Sequence, residues 1–221
     1  VVHKPFRPPH IYKDNAIYFI TACTFDRKPV LVADAHKRLF RDLLKEAVQS
    51  SPVRLYTWAV LRDHYHLLLL VKEGGNIGNF IRRVNGSTSR RLNELDCCSG
   101  RRVWRNYWDR FPRNEAEFWA YFNYTHVQPI KHGEVVLGEA GDIHAALRAY
   151  EFSSYHYYLR EYGEEWLTDV WARYPIPDYL MMWDEQPRLP DRGAAKITGM
   201  SGFSRKAPAE AGRPPFSPNS S

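Results

Sequence analysis

The chain has 221 residues, a formal net charge of +6 and a pI near 9.2. It is therefore long enough for one sizeable domain with additions, and its charge favours an anionic partner. No apolar run reaches the roughly 18 residues of a membrane span, and the opening VVHKPFRPPH has no signal-peptide core, so a soluble cytoplasmic protein is expected.

Three cysteines, Cys23, Cys97 and Cys98, are odd in number and lack CxxC spacing, which points to a reduced chain without structural zinc. The chain opens on Val rather than Met, so its start is expected to lie elsewhere or to use a non-AUG codon.

In chain order, AIYFITACTF (16–25) alternates aromatic and β-branched residues and predicts a strand. DRKP ends it. Residues 33–49 carry Leu39, Phe40, Leu43, Leu44 and Val48 at helical spacing, with Asp34 as a candidate N-cap. VRLYTWAVL (53–61) and HYHLLLLVK (64–72) predict two strands joined around Arg62 and Asp63 as a hairpin. IGNFIRRVNGSTSRRLNEL (77–95) predicts a basic amphipathic helix weakened by Gly86, and RRVWRNYWDRF (101–111) a further strand. EAEFWAYFNYTHVQPIKHG (115–133) begins acidic, has helical periodicity and ends near Pro129 and Gly133.

The order β-α-β-β-α-β-α predicts an α+β fold. It is a ferredoxin-like split βαβ core with an antiparallel sheet and helices on one face. That core is expected over residues 1–136. Residues 137–185, rich in Tyr and Trp, predict a helical C-terminal extension, and 186–221, rich in Pro, Gly, Ser and Arg, a disordered basic tail.

Two histidines, His64 and His66, stand at the mouth of the second hairpin strand. Residues i and i+2 of a strand share a face, so both imidazoles point the same way. Such a pair suits a divalent metal that keeps open positions for a substrate oxygen. The plain alternative has one histidine in solvent and the other hydrogen-bonded in the core, and the metal reading needs a third ligand. Tyr124 and Gln128 are four apart and share a helical face. A tyrosine hydroxyl is a competent nucleophile on a metal-polarised phosphodiester, and an amide oxygen one turn on is a candidate third ligand. Against this, Tyr121 and Tyr124 also read as core aromatics.

Between Arg82 and Arg113 stand nine arginines against three acids, Glu94, Asp96 and Asp109, a net of +6 that equals that of the whole chain. With Trp104, Tyr107 and Trp108 interleaved, this composition fits single-stranded nucleic acid, guanidinium on phosphate and ring on base.

Together these stretches resemble the single-tyrosine HUH transposases, and among them the REP-associated tyrosine transposases. RPPHIYKDNAIYFITACTFDRKPVL resembles the family's first strand and YTWAVLRDHYHLLLLV its His-hydrophobic-His hairpin. NFIRRVNGSTSRRLN resembles its basic helix, YTHVQPIKHGEVV its nucleophile helix and EFSSYHYY its C-terminal signature. The resemblance implies a metal-dependent single-stranded DNA endonuclease and strand transferase, acting on palindromic hairpin DNA. It implies Tyr124 as nucleophile, His64, His66 and Gln128 as ligands of Mg²⁺ or Mn²⁺, and a 5′-phosphotyrosine intermediate with a free 3′-OH. Arg82, Arg83, Arg90, Arg91 and Arg105 are candidate DNA contacts. A cytoplasmic, nucleoid-associated location follows, and both a homodimer and a monomer are compatible.

Two positions depart from the family pattern: Arg62-Asp63 stands where Pro-Asn is common, and Gln128 where many members carry Asn. Two competing readings remain open. One is a non-catalytic hairpin DNA- or RNA-binding protein. The other is a zinc hydrolase needing a further ligand, for which Asp63, His126 and His132 are the available residues.

Overall fold

A computed structural model describes residues 12–72, 75–138 and 141–181; the tail from 186 lies outside the described residues. The alternating stretch forms strand β1 (Ala16–Thr24), and the hairpin forms β2 (Val53–Val60) and β3 (His64–Val71). The predicted fourth strand is shorter, β4 (Trp104–Arg110). The helical patterns give α1 (Asp34–Gln49), α2 (Ile77–Leu95) and α3 (Glu115–Lys131). Beyond these come α4 (Ile143–Arg148), α5 (Tyr155–Arg173) and the single turn α6 (Asp178–Met181).

The sheet order is β2-β3-β1-β4 with every neighbouring pair antiparallel, which is the ferredoxin-like arrangement. Register divides its side chains into two sets. Tyr18, Ile20 and Ala22 oppose Leu69, Leu67 and Tyr65, while Phe19, Thr21 and Cys23 oppose Leu68, His66 and His64. Opposed residues share a face, so the first set points one way and the second the other.

The first face is covered by α1 and α2. Phe40 and Leu44 of α1 and Ile77, Phe80, Ile81, Val84 and Leu92 of α2 join Tyr18, Ile20, Tyr65, Leu67 and Leu69 in one core. Phe40 is fully buried against Tyr65 and Trp104, so its truncation to Ala costs about 3–5 kcal/mol. Gly86 does not break α2: the helix runs through it, supported at its start by Asn76, whose side chain accepts from Asn79 N.

The expectation of helices on one face holds for the crossover helices α1 and α2 and is corrected for α3. Tyr121 of α3 stacks on Phe19 at 4.4 Å between centroids, which places α3 on the second face. The reason lies in its composition. From Trp119 to Pro129 every residue of α3 is buried, so this helix is not amphipathic and needs cover on all sides. The sheet covers one side. The extension covers the other, with Phe122 against Tyr158 and Trp166, and Asn123 Nδ2 donating to the carbonyl of Tyr174 at 2.7 Å.

The extension also blunts the β2 edge. Val60 N donates to Phe152 O, Ser154 N to Trp58 O, and the Tyr158 and Tyr150 hydroxyls to the carbonyls of Tyr56 and Val60. Among the described residues no helix is long and apolar enough to cross a membrane.

Candidate active site

The second sheet face carries His64 and His66 on β3, both fully buried, with ring centroids 5.0 Å apart. Strand periodicity alone puts them on one side, and the antiparallel pairing sets Thr21 opposite His66. The Thr21 hydroxyl lies 2.9 Å from His66 Nδ1. His64 Nδ1 lies 2.6 Å from Asp63 Oδ1, in the hairpin turn.

Burial pushes the His64 imidazole down to about 3; the Asp63 hydrogen bond opposes this, while His132 and His66 add to it. The ring is thus neutral at ordinary pH, the form that ligates a metal.

α3 supplies the rest. Its start is capped by Asn114, whose Oδ1 accepts from Glu117 N, with Glu115 and Glu117 facing the positive helix end. Pro129 has no N–H to extend the ladder, and the chain turns at Gly133 with φ +65, a conformation glycine adopts without strain.

Within this frame the Tyr124 ring stands edge-on to His66 at 5.5 Å and to Phe19 at 5.8 Å. Gln128 follows one turn later on the same side, fully buried, its Nε2 donating to the Tyr124 carbonyl at 3.1 Å. That bond fixes the amide so that Oε1 is the free end. Tyr121, the other tyrosine of the helix, is committed to stacking, and burial raises its phenol despite Arg110 nearby.

The donor set fits a hard or borderline divalent cation. Two buried atoms, His64 Nε2 and Gln128 Oε1, have no hydrogen-bond partner among the described residues, although buried polar atoms are normally satisfied. An imidazole lone pair and an amide oxygen are what such a cation takes. Among the described residues no group of three or more His, Cys, Asp or Glu side chains is placed to hold a metal.

Beside His132, available in the sequence only to a zinc hydrolase, the site gathers Lys131, Arg27 and Glu134, which the sequence did not single out. His132 packs edge-on to His64 at 4.5 Å, brought there by the end of α3. Lys131 Nζ lies 3.3 Å from the Tyr124 hydroxyl and over its ring. Arg27 sits in a 3₁₀ turn after β1, where Asp26 and Arg27 both have left-handed φ, 55 and 53. Its Nη1 lies 3.7 Å from Asp63 Oδ2.

Glu134 clamps the assembly. It accepts from Lys37 at 2.6 Å and from the backbone and side chain of Arg62 at 3.0 and 2.9 Å, while Arg62 also donates to the carbonyls of His132 and Gly133. A signal was available in the i, i+7 spacing of Tyr124 and Lys131; Glu134 and His132 depend on tertiary docking alone. His126, weighed as a ligand, faces away: its Nε2 pairs with Ser154 Oγ at 2.8 Å, and burial lowers it to about 3.

The structure does not bring the four candidate DNA arginines of α2 to this face. Arg82, Arg83, Arg90 and Arg91 lie on α2, across the sheet, and all four are exposed. Arg83 bonds the Ser50 carbonyl and hydroxyl, and Arg90 and Arg91 both approach Glu94. Arg105 is exposed on the edge strand β4. The site face of β4 instead carries Trp108 opposite Thr21 and Arg110 opposite Phe19.

The chain is similar to known proteins in sequence and in fold. Residues 12–112 match the family model of the IS200-like transposases. The chain is 22% identical over 167 residues to the REP-associated tyrosine transposase of Escherichia coli K12, spanning 72% of this chain and 89% of that protein. A Haemophilus influenzae relative is also 22% identical, over 169 residues, 70% of this chain and 89% of its own. The fold matches that of a REP-associated tyrosine transposase solved bound to a REP hairpin, with a TM-score of 0.57 at 18% identity, covering 71% of this chain and 86% of that one.

Proposed function

We propose that the chain is a REP-associated tyrosine transposase of the IS200-like group, which it resembles over residues 12–112, and that it cuts and rejoins single-stranded DNA at a REP-type hairpin. The observation that carries this reading is the convergence of Tyr124 with His66 and His64 on one buried sheet face, with Gln128 one turn beyond. A binding surface has no use for a phenol packed against one imidazole, with a second imidazole and an orphaned amide oxygen beside them.

In this reading the Tyr124 oxygen forms a bond to the scissile phosphorus and the bond to the 3′ oxygen breaks. The products are a 5′-phosphotyrosine and a 3′-OH, the proton lost by the phenol being matched by the one the leaving 3′ oxygen takes up. Attack by another 3′-OH reverses the step and frees Tyr124. Lys131 donates to the phenol oxygen as charge develops there. His64, His66 and Gln128 would hold a Mg²⁺ or Mn²⁺ ion, which supplies positive charge against the phosphate oxygens. The exposed arginines of α2 serve duplex or flanking phosphates, across the sheet from the chemistry. A cytoplasmic, nucleoid-bound protein follows from such a substrate.

One observation favours a second reading, hairpin binding without cleavage: Tyr124 is 0% exposed. For cleavage, DNA must open the α3 side of the site.

The test is a denaturing gel of labelled hairpin DNA with Mn²⁺ or Mg²⁺. A covalent protein–DNA adduct, abolished in Tyr124→Phe while affinity for the hairpin persists, supports the transferase. Binding with no adduct or cleavage in either protein, across hairpins and metals, establishes the binding-only reading instead.

A further inference from the structure

Asp63 stands where the family pattern commonly has Asn, and the chemistry above leaves it without a task. We propose that Asp63 is a positioning residue: it accepts the Nδ1–H of His64 and so holds the imidazole in the tautomer that turns the Nε2 lone pair into the metal site. The inference rests on the reading of His64 as a ligand.

The argument starts from what each group can do. A carboxylate only accepts hydrogen bonds, so the ring nitrogen 2.6 Å from Asp63 Oδ1 is the one bearing hydrogen. On a neutral imidazole the other nitrogen then has a lone pair and no proton. That nitrogen, His64 Nε2, is buried without a hydrogen-bond partner among the described residues. Among the described residues nothing uses the lone pair that Asp63 exposes.

His66 is treated differently. Its Nδ1 meets the Thr21 hydroxyl at 2.9 Å, and a hydroxyl donates or accepts with equal ease, so this contact orients the ring without choosing its tautomer.

The carboxylate is itself held. The Asp63 carbonyl accepts from Thr24 N at 2.8 Å and from Thr24 Oγ1 at 3.1 Å, tying the hairpin turn to the end of β1. Its second oxygen faces Arg27 Nη1 at 3.7 Å. With His64 on one oxygen and a guanidinium beside the other, the carboxylate has two sides with two duties. An outer partner that orients a metal-ligating histidine typically changes metal affinity 10–100-fold when removed. A merely structural turn residue would alter stability and leave tautomer and affinity alone.

The test reads the tautomer first, by ¹⁵N NMR of the imidazoles in metal-free wild-type protein, and Mn²⁺ affinity second, by titration followed by EPR. His64 protonated at Nδ1 is expected in the wild type; protonation at Nε2 overturns the proposal, whatever any variant does. Asp63→Ala is expected to release the tautomer and weaken Mn²⁺ binding about 10–100-fold. Asp63→Asn, whose amide oxygen still accepts, is expected to keep the tautomer and bind within a few-fold of wild type.

Unchanged tautomer and affinity in Asp63→Ala, with His64→Asn losing Mn²⁺, overturn the positioning role alone. If wild type and His64→Asn bind Mn²⁺ alike, His64 is no ligand, and the active-site reading falls with the proposal.

Discussion

Lys131 and Tyr124 meet across two turns of α3, ammonium to phenol oxygen at 3.3 Å, with the cation also lying over the ring at 5.0 Å. The donor sits where negative charge appears during attack or return of the tyrosine oxygen. Lys131→Met is expected to slow adduct formation about 10²-fold or more while hairpin affinity changes little, since preorganised donors act on the transition state. Lys131→Arg should recover part of the rate. Single-turnover cleavage at saturating DNA checks both; an unchanged rate in Lys131→Met would remove the lysine from the chemistry.

Glu134 is a second lever on the site, although it touches no substrate. Burial raises its carboxyl, but hydrogen bonds from Lys37 and Arg62 outweigh burial and leave it below its ordinary 4.5. The folded state therefore holds this group ionised more firmly than the unfolded chain does. The stabilisation is complete above about pH 4.5 and is lost as pH falls through the lower folded value. Glu134→Gln also strands the buried Lys37 ammonium, and should cost about 3 kcal/mol in urea unfolding at neutral pH.

His126 gives an independent acid sensitivity with a different onset. Its folded value near 3 lies well below the 6.5 of a free imidazole, so below pH 6.5 the unfolded chain binds a proton that the folded one refuses. Stability then falls with pH by about 1.4 kcal/mol per unit for this group, and His64 contributes in the same direction. His126→Gln should flatten the decline between pH 6 and 4 by about that slope. Urea midpoints across this range measure it.

On the proposed reading the exposed arginines of α2 should act on affinity and not on turnover, because α2 lies across the sheet from Tyr124. Arg82→Ala is expected to weaken hairpin binding several-fold and to lower the salt slope of log K by about 1, with cleavage at saturating DNA unchanged. A fall in the saturated rate would mean that α2 orients the scissile strand.

Local periodicity made much of this molecule readable. The i, i+2 histidines and the i, i+4 pair of Tyr124 and Gln128 declare their shared faces without reference to anything distant. The place of α3 was misjudged because its own residues say only that it is buried on all sides, and not which layer buries it. The nine arginines read as one positive block along the chain, yet Glu94 draws in Arg90 and Arg91, Asp96 pairs with Arg101 and Glu117 with Arg113. Charge counted by position ignores such partners. His132, Arg27 and Glu134 reach the site only through docked loops, and no spacing rule announces them.

The docking of α3 on its own sheet, locked by Arg62 and Glu134, has a genetic corollary. Phenol and imidazoles travel in one polypeptide, so a copy lacking Tyr124 and a copy lacking His64 and His66 have nothing to lend each other. Co-expressing the two defective alleles should leave the cell as inactive as either alone. Active heterozygotes would reveal α3 swapped between chains.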